Sequence, residues 1–184
     1  MDSIKAAYKH TKVGTFLFKV CAKWTEFMLR HRWLYYFLSS TWGIIMTIVG
    51  LLISGVLAVV KLVSGNRVKI SFTPYNWVYG ISVGSDYWGG FECGLCFLQC
   101  QKAPNTTRAH EFGHTFQNCL FGPLFIFLVA LPSVTWYWIH RLSKKPMKPY
   151  DSLWFEDAAT QCGIYADLCL YAEKHFGNEE KENG

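Results

Sequence analysis

An apolar run of the chain covers residues 42–60 and contains no charged residue. Basic residues flank this run, with Arg32 before it and Lys61 after it. A helix of this length matches the hydrocarbon core of a bilayer, which is about 30 Å thick. The pattern therefore predicts a transmembrane helix, which we place over residues 34–63. The long basic region before it is not typical of a cleaved signal peptide, and it favours a cytoplasmic N-terminus.

Residues 1–33 carry basic side chains interleaved with apolar ones. The apolar positions recur at intervals of three and four, as on one face of a helix. They are Phe16, Leu17, Val20, Trp24, Phe27 and Met28. A basic face opposite aromatic and aliphatic side chains is typical of a helix in the membrane interface. A helix that packs on the rest of the protein is the alternative interpretation.

The pattern changes to alternation and turns over residues 68–101. It predicts three strands, over residues 68–72, 78–83 and 91–98. A turn at 74–76 and a glycine-rich connection at 86–90 separate them. We expect a small antiparallel sheet that packs against the helix that follows. An exposed edge strand of such a sheet can bind an extended peptide through its main chain.

The helix predicted after this sheet carries His110, Glu111 and His114 in an H-E-x-x-H arrangement. One helical turn separates the two histidines, so both imidazoles lie on one face and can bind the same Zn²⁺. Glu111 lies beside them, where a carboxylate can accept a proton from a water that the metal activates. Residues 104–107 offer capping oxygens for the start of this helix. Two partly exposed helix histidines beside a solvated glutamate are the alternative.

A catalytic zinc site usually has a third protein ligand. The metzincin class is excluded, because Gln117 and Leu120 stand where it requires glycine and histidine. A glutamate from a later helix is another common source of this ligand. Glu156 lies in the first turn of a helix for which Asp151 or Ser152 is the predicted cap. We therefore predict Glu156 as the third ligand.

Small residues follow Glu156 on the same helix face, at Ala159 and Gly163. They would allow that face to approach the histidine helix closely. Asp157 is the alternative ligand, and a solvated first-turn acid that complements the helix dipole is the remaining interpretation. Asp86 could support a ligand histidine from the second coordination shell, or it could cap a turn.

The apolar segment 119–140 resembles a second membrane span in composition. A single crossing, however, would place His114 and Glu156 on opposite sides of the bilayer, about 30 Å apart. No metal ion could bind both residues across that distance. The metal hypothesis therefore predicts a buried or re-entrant helical hairpin, with its reversal at residues 131–133 around Pro132.

Composition supports a membrane location. The 184-residue chain is 51% hydrophobic and only 17% charged, against about 25% charged residues in an ordinary soluble domain. The net charge of +5 favours anionic lipid headgroups, because no nucleic-acid-binding motif accompanies it. The seven cysteines are an odd number, which argues against a disulfide framework. Cys93 and Cys96 form a C-x-x-C pair, but their sulfurs would diverge on a single strand, so we expect buried small hydrophobes.

Several short motifs are spread over residues 80–163. They are Y-W-G-G at 87–90, H-E-F-G-H-T-F-Q-N at 110–118, G-P-L at 122–124, P-S at 132–133 and Y-D-S-L-W-F-E at 150–156. Together they resemble a group of small, largely uncharacterised bacterial membrane proteins that look like gluzincin-type zinc metallopeptidases. Thr160 departs from the pattern, since many gluzincins have an aspartate there that supports a ligand histidine. The L-D-G motif of intramembrane zinc proteases is absent.

The resulting prediction is an α+β membrane protein. It has a basic amphipathic segment (1–33), a transmembrane helix (34–63), a metallopeptidase-like domain (64–170) and a polar tail (171–184). The domain is expected to contain a small antiparallel sheet, an H-E-x-x-H helix that continues into an apolar helical hairpin, and a helix that bears Glu156.

The predicted function is a zinc metallopeptidase associated with the lipid bilayer. The resemblance implies that this bilayer is the bacterial cytoplasmic membrane. His110, His114 and Glu156 are the predicted Zn²⁺ ligands, and Glu111 is the predicted general base. The expected substrate is a peptide or protein, with no nucleic-acid partner. Candidate oxyanion donors are the aromatic and histidine side chains His140, Tyr150, Tyr165 and His175.

Two alternatives remain open at the level of the sequence. The first is a non-catalytic membrane protein whose metal site is structural or vestigial. A fourth protein ligand would be its mark, and the available donors are Cys93, Cys119 and His140. The second is a membrane anchor or interaction module that binds no metal, in which segment 119–140 would span the membrane completely.

Overall fold

The computed structural model describes residues 11–65, 67–84, 88–143 and 147–176. Within these residues the fold is α+β. The α-helices are α1 (Lys12–Arg30), α2 (Arg32–Ser40), α3 (Ile44–Ser64), α4 (Asn105–Phe121), α5 (Leu131–Leu142) and α6 (Trp154–Phe176). The strands are β1 (Ile70–Tyr75), β2 (Val78–Val83), β3 (Gly90–Cys93) and β4 (Cys96–Cys100). Helix α6 extends into the predicted polar tail, so residues 171–176 are helical.

Helix α1 packs along α6 and also contacts α4. It buries Phe18, Cys21 and Met28 against them, whereas Phe16 and Phe27 remain largely exposed. The helix is therefore confirmed, but the buried face coincides only in part with the predicted apolar face, since Met28 is buried and Phe16 and Phe27 are not. The structure thus agrees with the alternative interpretation, in which this helix packs on the rest of the protein. A location of the exposed aromatic side chains in the membrane interface stays a prediction.

The apolar segment predicted as one helix over residues 34–63 divides into two. Helix α2 ends at Ser40 and α3 begins at Ile44, with a turn between them. The single-helix assignment was therefore wrong for residues 34–43. Helix α3 has 21 residues and is long and apolar enough to cross a membrane. Among the described residues it is the one unbroken helix that meets this condition.

The sheet has four strands in the order β1-β2-β4-β3. Strands β1 and β2 are antiparallel, as are β3 and β4, but β2 and β4 are parallel. The predicted antiparallel sheet was therefore wrong, because the sheet is mixed. The reason is a two-residue turn at Gly94, which has a φ of +72°. That turn folds the expected strand 91–98 into a hairpin, whose second strand returns beside β2.

Cys93 and Cys96 are paired across this hairpin, and both are buried. The burial was predicted correctly, but the expected divergence of the two sulfurs was wrong, because the residues lie on different strands. Gly50 of α3 packs directly on the hairpin, and a Cβ at this position would overlap the carbonyl oxygen of Cys93. Helix α3 therefore lies against the sheet and does not extend away from it.

The sheet lies between two helical layers. On one face, Ile81 and Cys96 contact Ile53 and Leu57 of α3. On the other face, Phe97 and its neighbours pack on aromatic side chains of α4 in the largest buried cluster. Helix α6 packs on α4 from the far side. Helix α4 is thus buried between the sheet and α6, which is why 10 of its residues are buried.

The chain changes direction after α4. A 3-10 turn over Gly122–Leu124 and a π-helical segment over Ile126–Ala130 lead into α5, and the two helical arms meet at 117°. The segment is therefore not one straight helix, and the expected reversal at 131–133 was wrong. That it does not cross the bilayer stays a prediction. Pro132 lies at the start of α5, where a missing N–H costs little. The bend instead follows Gly122, which has a φ of +53°.

Helices α4 and α6 approach each other through glycines. A Cβ at Gly113 would overlap the carbonyl oxygen of Ala159, and a Cβ at Gly163 would overlap that of Ala109. The predicted small-residue face of α6 is therefore confirmed. Because the two backbones touch here, the side chain of Glu156 on α6 can reach the histidines of α4.

We expect Gly163→Ala to lower the thermal unfolding temperature of the protein in detergent. Alanine has the better helix propensity, but its Cβ overlaps a backbone atom that cannot move alone, so overpacking of about 1–3 kcal/mol dominates. The measurement is circular dichroism during heating. Gly55→Ala is the matched control, because nothing lies within 4 Å of a Cβ there. A Gly163→Ala variant as stable as the control would contradict this close packing.

Candidate metal centre

Helix α4 presents His110, Glu111 and His114 toward α6 and the sheet. The side chain of His110 is 15% exposed and that of His114 is 6% exposed. Glu111 is also buried. The helix begins at Asn105 with Pro104 as its N-cap, and no side chain caps it. The predicted capping oxygens therefore play no part, and packing on both sides stabilises the helix instead.

Helix α6 brings Glu156 to the two histidines. Its carboxylate Oε2 lies 3.1 Å from His110 Nε2 and 3.6 Å from His114 Nε2. The two imidazole Nε2 atoms are 3.1 Å apart. These three residues form a group that could hold a metal ion, as predicted. Asp157, the alternative ligand, is not part of this group.

The distances fit a divalent metal ion. With bonds of about 2.0–2.1 Å to nitrogen and oxygen, tetrahedral ligand atoms lie about 3.3 Å from one another. The three observed separations of 3.1, 3.1 and 3.6 Å bracket this value. Glu156 is fully buried, and its carboxylate Oε2 faces the Nε2 atoms of both imidazoles. A buried carboxylate that faces two imidazole nitrogens in this way is a cation-binding arrangement.

Both histidines are held by partners on their second ring nitrogen. His114 Nδ1 lies 2.8 Å from Oε1 of Gln117, whose amide nitrogen in turn donates to the carbonyl oxygen of Phe155. His110 Nδ1 lies 2.8 Å from the hydroxyl of Thr160. Each contact leaves Nε2 available for a metal. Thr160, which departs from the pattern of the resemblance, therefore contacts one of the two histidines.

These supporting residues were not identified from the sequence. In the sequence, Gln117 was evidence against a metzincin and was not predicted to support a histidine, although its position three residues after His114 places it on the same helix face. Thr160 was regarded as a departure from the family pattern. Asp86, the candidate for this role, lies outside the described residues.

The charge states of Glu156 and the two histidines depend strongly on one another. Burial would raise the pKa of Glu156, but its hydrogen bonds and electrostatic attraction to His110 and His114 hold that pKa well below its usual range. Burial would lower the pKa of His114, but Glu156 raises it to about 9. The carboxylate thus stabilises positive charge at this point, whether that charge is a proton or a metal cation.

Glu111 lies against strand β3. A Cβ at Gly90 would overlap its carboxylate, so a glycine at this position of the strand makes room for the side chain. Burial raises the pKa of Glu111, and the two histidines oppose that effect. A carboxylate with a raised pKa beside a metal site is suited to accept and return a proton.

Two spaces with shared lining residues adjoin this group. A cavity of about 40 Å³, large enough for a few water molecules, is lined by all three α4 residues and by Phe125 and Val129. A groove of about 560 Å³ shares His110, Glu111 and Tyr150 with the cavity. The groove also has polar lining residues, which are Thr106, Thr107, His140, Arg141, Asp151 and Thr160.

The remaining candidates divide into two groups. Tyr150 and His140 line the groove, and their rings lie 5.7 Å apart. Tyr165 and His175 line neither space and were wrong candidates for a site role. His175 instead contacts the ring of Tyr171. Tyr150 also lines the cavity, and its ring centre lies 6.5 Å from that of His110.

A fourth protein ligand is not found among the described residues. Cys119 contacts the hydroxyl of Ser39, and Cys93 faces Cys96 under α3, so neither joins the metal-binding group. His140 lines the groove but is also outside that group. Among the described residues, the group that could hold a metal ion therefore has three members, with a cavity beside two of them.

Comparison with known proteins gives no relative. No protein-family model matches the chain, and no curated protein or solved structure is significantly similar to it. The family resemblance inferred from the motifs therefore stays a prediction.

Proposed function

We propose that this protein is a membrane-associated zinc metallopeptidase. The observation that supports this most strongly is the joint geometry of His110, His114 and Glu156. These residues provide three ligand atoms at metal-binding distances with no fourth protein donor among the described residues. Glu111 adds a carboxylate at the same cavity. A zinc ion in this position supplies Lewis acidity, which polarises a carbonyl and makes a water molecule acidic near neutral pH.

Glu111 is the general base in this proposal. Its carboxylate lies between β3 and the histidines, so it takes a proton from the attacking water and returns it to the leaving amine. Gln117 and Thr160 keep the two imidazoles oriented. These two are positioning residues, because they act through the histidines.

Tyr150 is the proposed donor to the oxyanion. It is the one of the four initial candidates that lines both the cavity and the groove. Burial raises the pKa of its phenol, and the charge of Glu156 raises it further. The hydroxyl therefore stays protonated at neutral pH and can donate a hydrogen bond.

The substrate groove is consistent with a peptide. Strand β3 lies at the edge of the sheet, and its first residue, Gly90, lines both the cavity and the groove. Main-chain groups on an edge strand can pair with an extended polypeptide. This orients a scissile bond along β3 and beside Glu111.

The test of this function is cleavage of an unfolded protein by the purified full-length chain. We expect new peptide termini, detected by mass spectrometry, that disappear with a zinc chelator and return when zinc is restored. Removal of the metal removes the Lewis acid, so the rate should fall to the uncatalysed level. Cleavage that persists in excess chelator would contradict a metallopeptidase and indicate a contaminating protease of another class.

A further inference from the structure

Helix α3 has small and polar residues among those that face the protein and large apolar residues on its outer face. Its small and polar residues, Thr47, Gly50 and Ser54, face the protein. The Thr47 hydroxyl donates to the carbonyl oxygen of Ser39, and that of Ser54 donates to the carbonyl oxygen of Gly50. Surface helices of soluble proteins have charged or polar residues on the face that is turned away from the core.

The outer face of α3 is formed by large apolar side chains. They are Ile48, Leu51, Leu52, Val56 and Val59, which are 48–67% exposed. The helix has 21 residues, so it is about 31 Å long, close to the thickness of a hydrocarbon core. The half-exposed Trp42 precedes it and Lys61 lies in its last turn. Tryptophan and lysine at the two ends of an apolar helix are typical of membrane–water boundaries.

A second apolar surface continues from the bend after α4. No residue of α5 is buried. The exposed apolar side chains here belong to the π-helical segment and to α5: Phe127, Leu128, Leu131, Val134, Trp138, Ile139 and Leu142, which are 40–73% exposed. A continuous exposed apolar surface of this kind marks a site that contacts a membrane or another protein.

The cavity lined by His110, Glu111 and His114, which we call the metal cavity, lies between these two surfaces. Met46, in the first turn of α3, packs with Phe125 and Val129. Those two residues also line the cavity, and the ring of Phe125 is 6.3 Å from that of His114. The cavity is therefore level with the first turn of α3. On its other side, the groove with Arg141 and Asp151 provides a polar route to water.

The sheet packs along α3 and not beyond its end. It therefore lies at the same depth relative to the membrane as this helix. Strand β3 and its turn lie near Thr47, and β1 lies near Lys61, whose amine is 5.7 Å from the centre of the Phe72 ring. The two edges of the sheet are thus directed toward the two ends of α3. Irregular or unpaired backbone is tolerated near these polar boundaries, but not against acyl chains.

We propose that the outer face of α3 and the apolar surface of the π-helical segment and α5 contact the acyl chains of one bilayer. This places the metal cavity at the hydrocarbon boundary where α3 begins. The substrate is then a polypeptide anchored in the same membrane and cut close to its surface. The location follows from the two surfaces alone, whereas the substrate class rests on the proposed peptidase function.

The location can be tested without any activity. Spin labels are attached to Leu51→Cys, on the outer face of α3, and to Leu128→Cys, beside the cavity. Lys174→Cys, on the exposed end of α6, is the control. The background is Cys169→Ser, because the other six cysteines are buried. Labelled protein is reconstituted in liposomes that contain anionic lipid.

We expect the labels at positions 51 and 128 to be more accessible to molecular oxygen than to a water-soluble nickel chelate. The label at 174 should show the reverse, because oxygen partitions into acyl chains and the chelate does not. Position 128 should also be shallower than position 51. A label at 128 as accessible to the nickel chelate as the label at 174 would overturn the proposed location.

The substrate class has its own test, with one cleavable sequence in two forms. In the first form the sequence is joined to a transmembrane helix through spacers of increasing length, and in the second it is a free peptide. Tethering raises the effective concentration, so the short-spacer substrate should be cut about a hundredfold faster than the free peptide. The rate should fall as the spacer lengthens beyond the reach of the cavity.

Equal rates for free and tethered sequences would overturn the substrate class and leave the peptidase intact. A zinc-loaded protein that cleaves neither form would contradict the peptidase proposal. In that case the spin labels still decide the location of the cavity.

Discussion

About one zinc ion per chain is expected in detergent-purified protein, and this zinc should be lost in both His114→Ala and Glu156→Ala. Each substitution removes one of three ligand atoms that lie 3.1–3.6 Å apart. Two ligands hold zinc far more weakly than three, and Glu156→Ala also removes the one negative charge in the ligand group. Elemental analysis of protein prepared without chelators gives the ratio directly.

His140→Ala is the matched control for this experiment. His140 lines the groove but lies outside the ligand group, so its loss should leave the zinc content unchanged. Zinc that is lost from the histidine variant but kept in Glu156→Ala would show that Glu156 is not a ligand. A wild-type chain without zinc would favour the membrane anchor or interaction module.

The second large effect is expected for Glu111→Gln, which should retain zinc and lose turnover. Glutamine fills the same space between β3 and the histidines but cannot accept a proton. Loss of a general base typically lowers the rate by about 10²–10⁴-fold. The measurement combines zinc content with the cleavage rate of the same preparation, so that loss of metal and loss of the base are separated.

Glu173→Gln serves as the control, because this glutamate is exposed near the end of α6. It should cleave at the wild-type rate. A Glu111→Gln variant that also cleaves at that rate would exclude Glu111 as the base. Loss of zinc from Glu111→Gln would instead indicate that this side chain supports the metal-binding geometry.

Local spacing was sufficient to predict the core of the candidate site. His110 and His114 lie on one helix face because four residues advance an α-helix by about one turn. That relation holds in whatever fold the helix occurs. Glu156 was predicted from ligand chemistry and from the small residues that follow it, and the close contact at Gly163 confirms the second part of that reasoning.

The sequence was less informative about turns. Pro132 indicated a reversal, yet proline is also compatible with the first turn of a helix, and that is where it lies. Gly94 is a turn residue within an otherwise apolar stretch, and the stretch was assigned to a single strand. Both positions allow more than one backbone conformation, so packing with distant residues decides between them.

What the sequence by itself determined is the apolar character of α3, the spacing of the H-E-x-x-H motif and the chemistry of its ligands. These features depend on neighbouring residues or on composition. The tertiary structure alone decided that β4 pairs in parallel with β2, that Gln117 and Thr160 support the histidines, and that α3 lies along the sheet. Each of these depends on contacts between segments far apart in the chain, for which local pattern contains no signal.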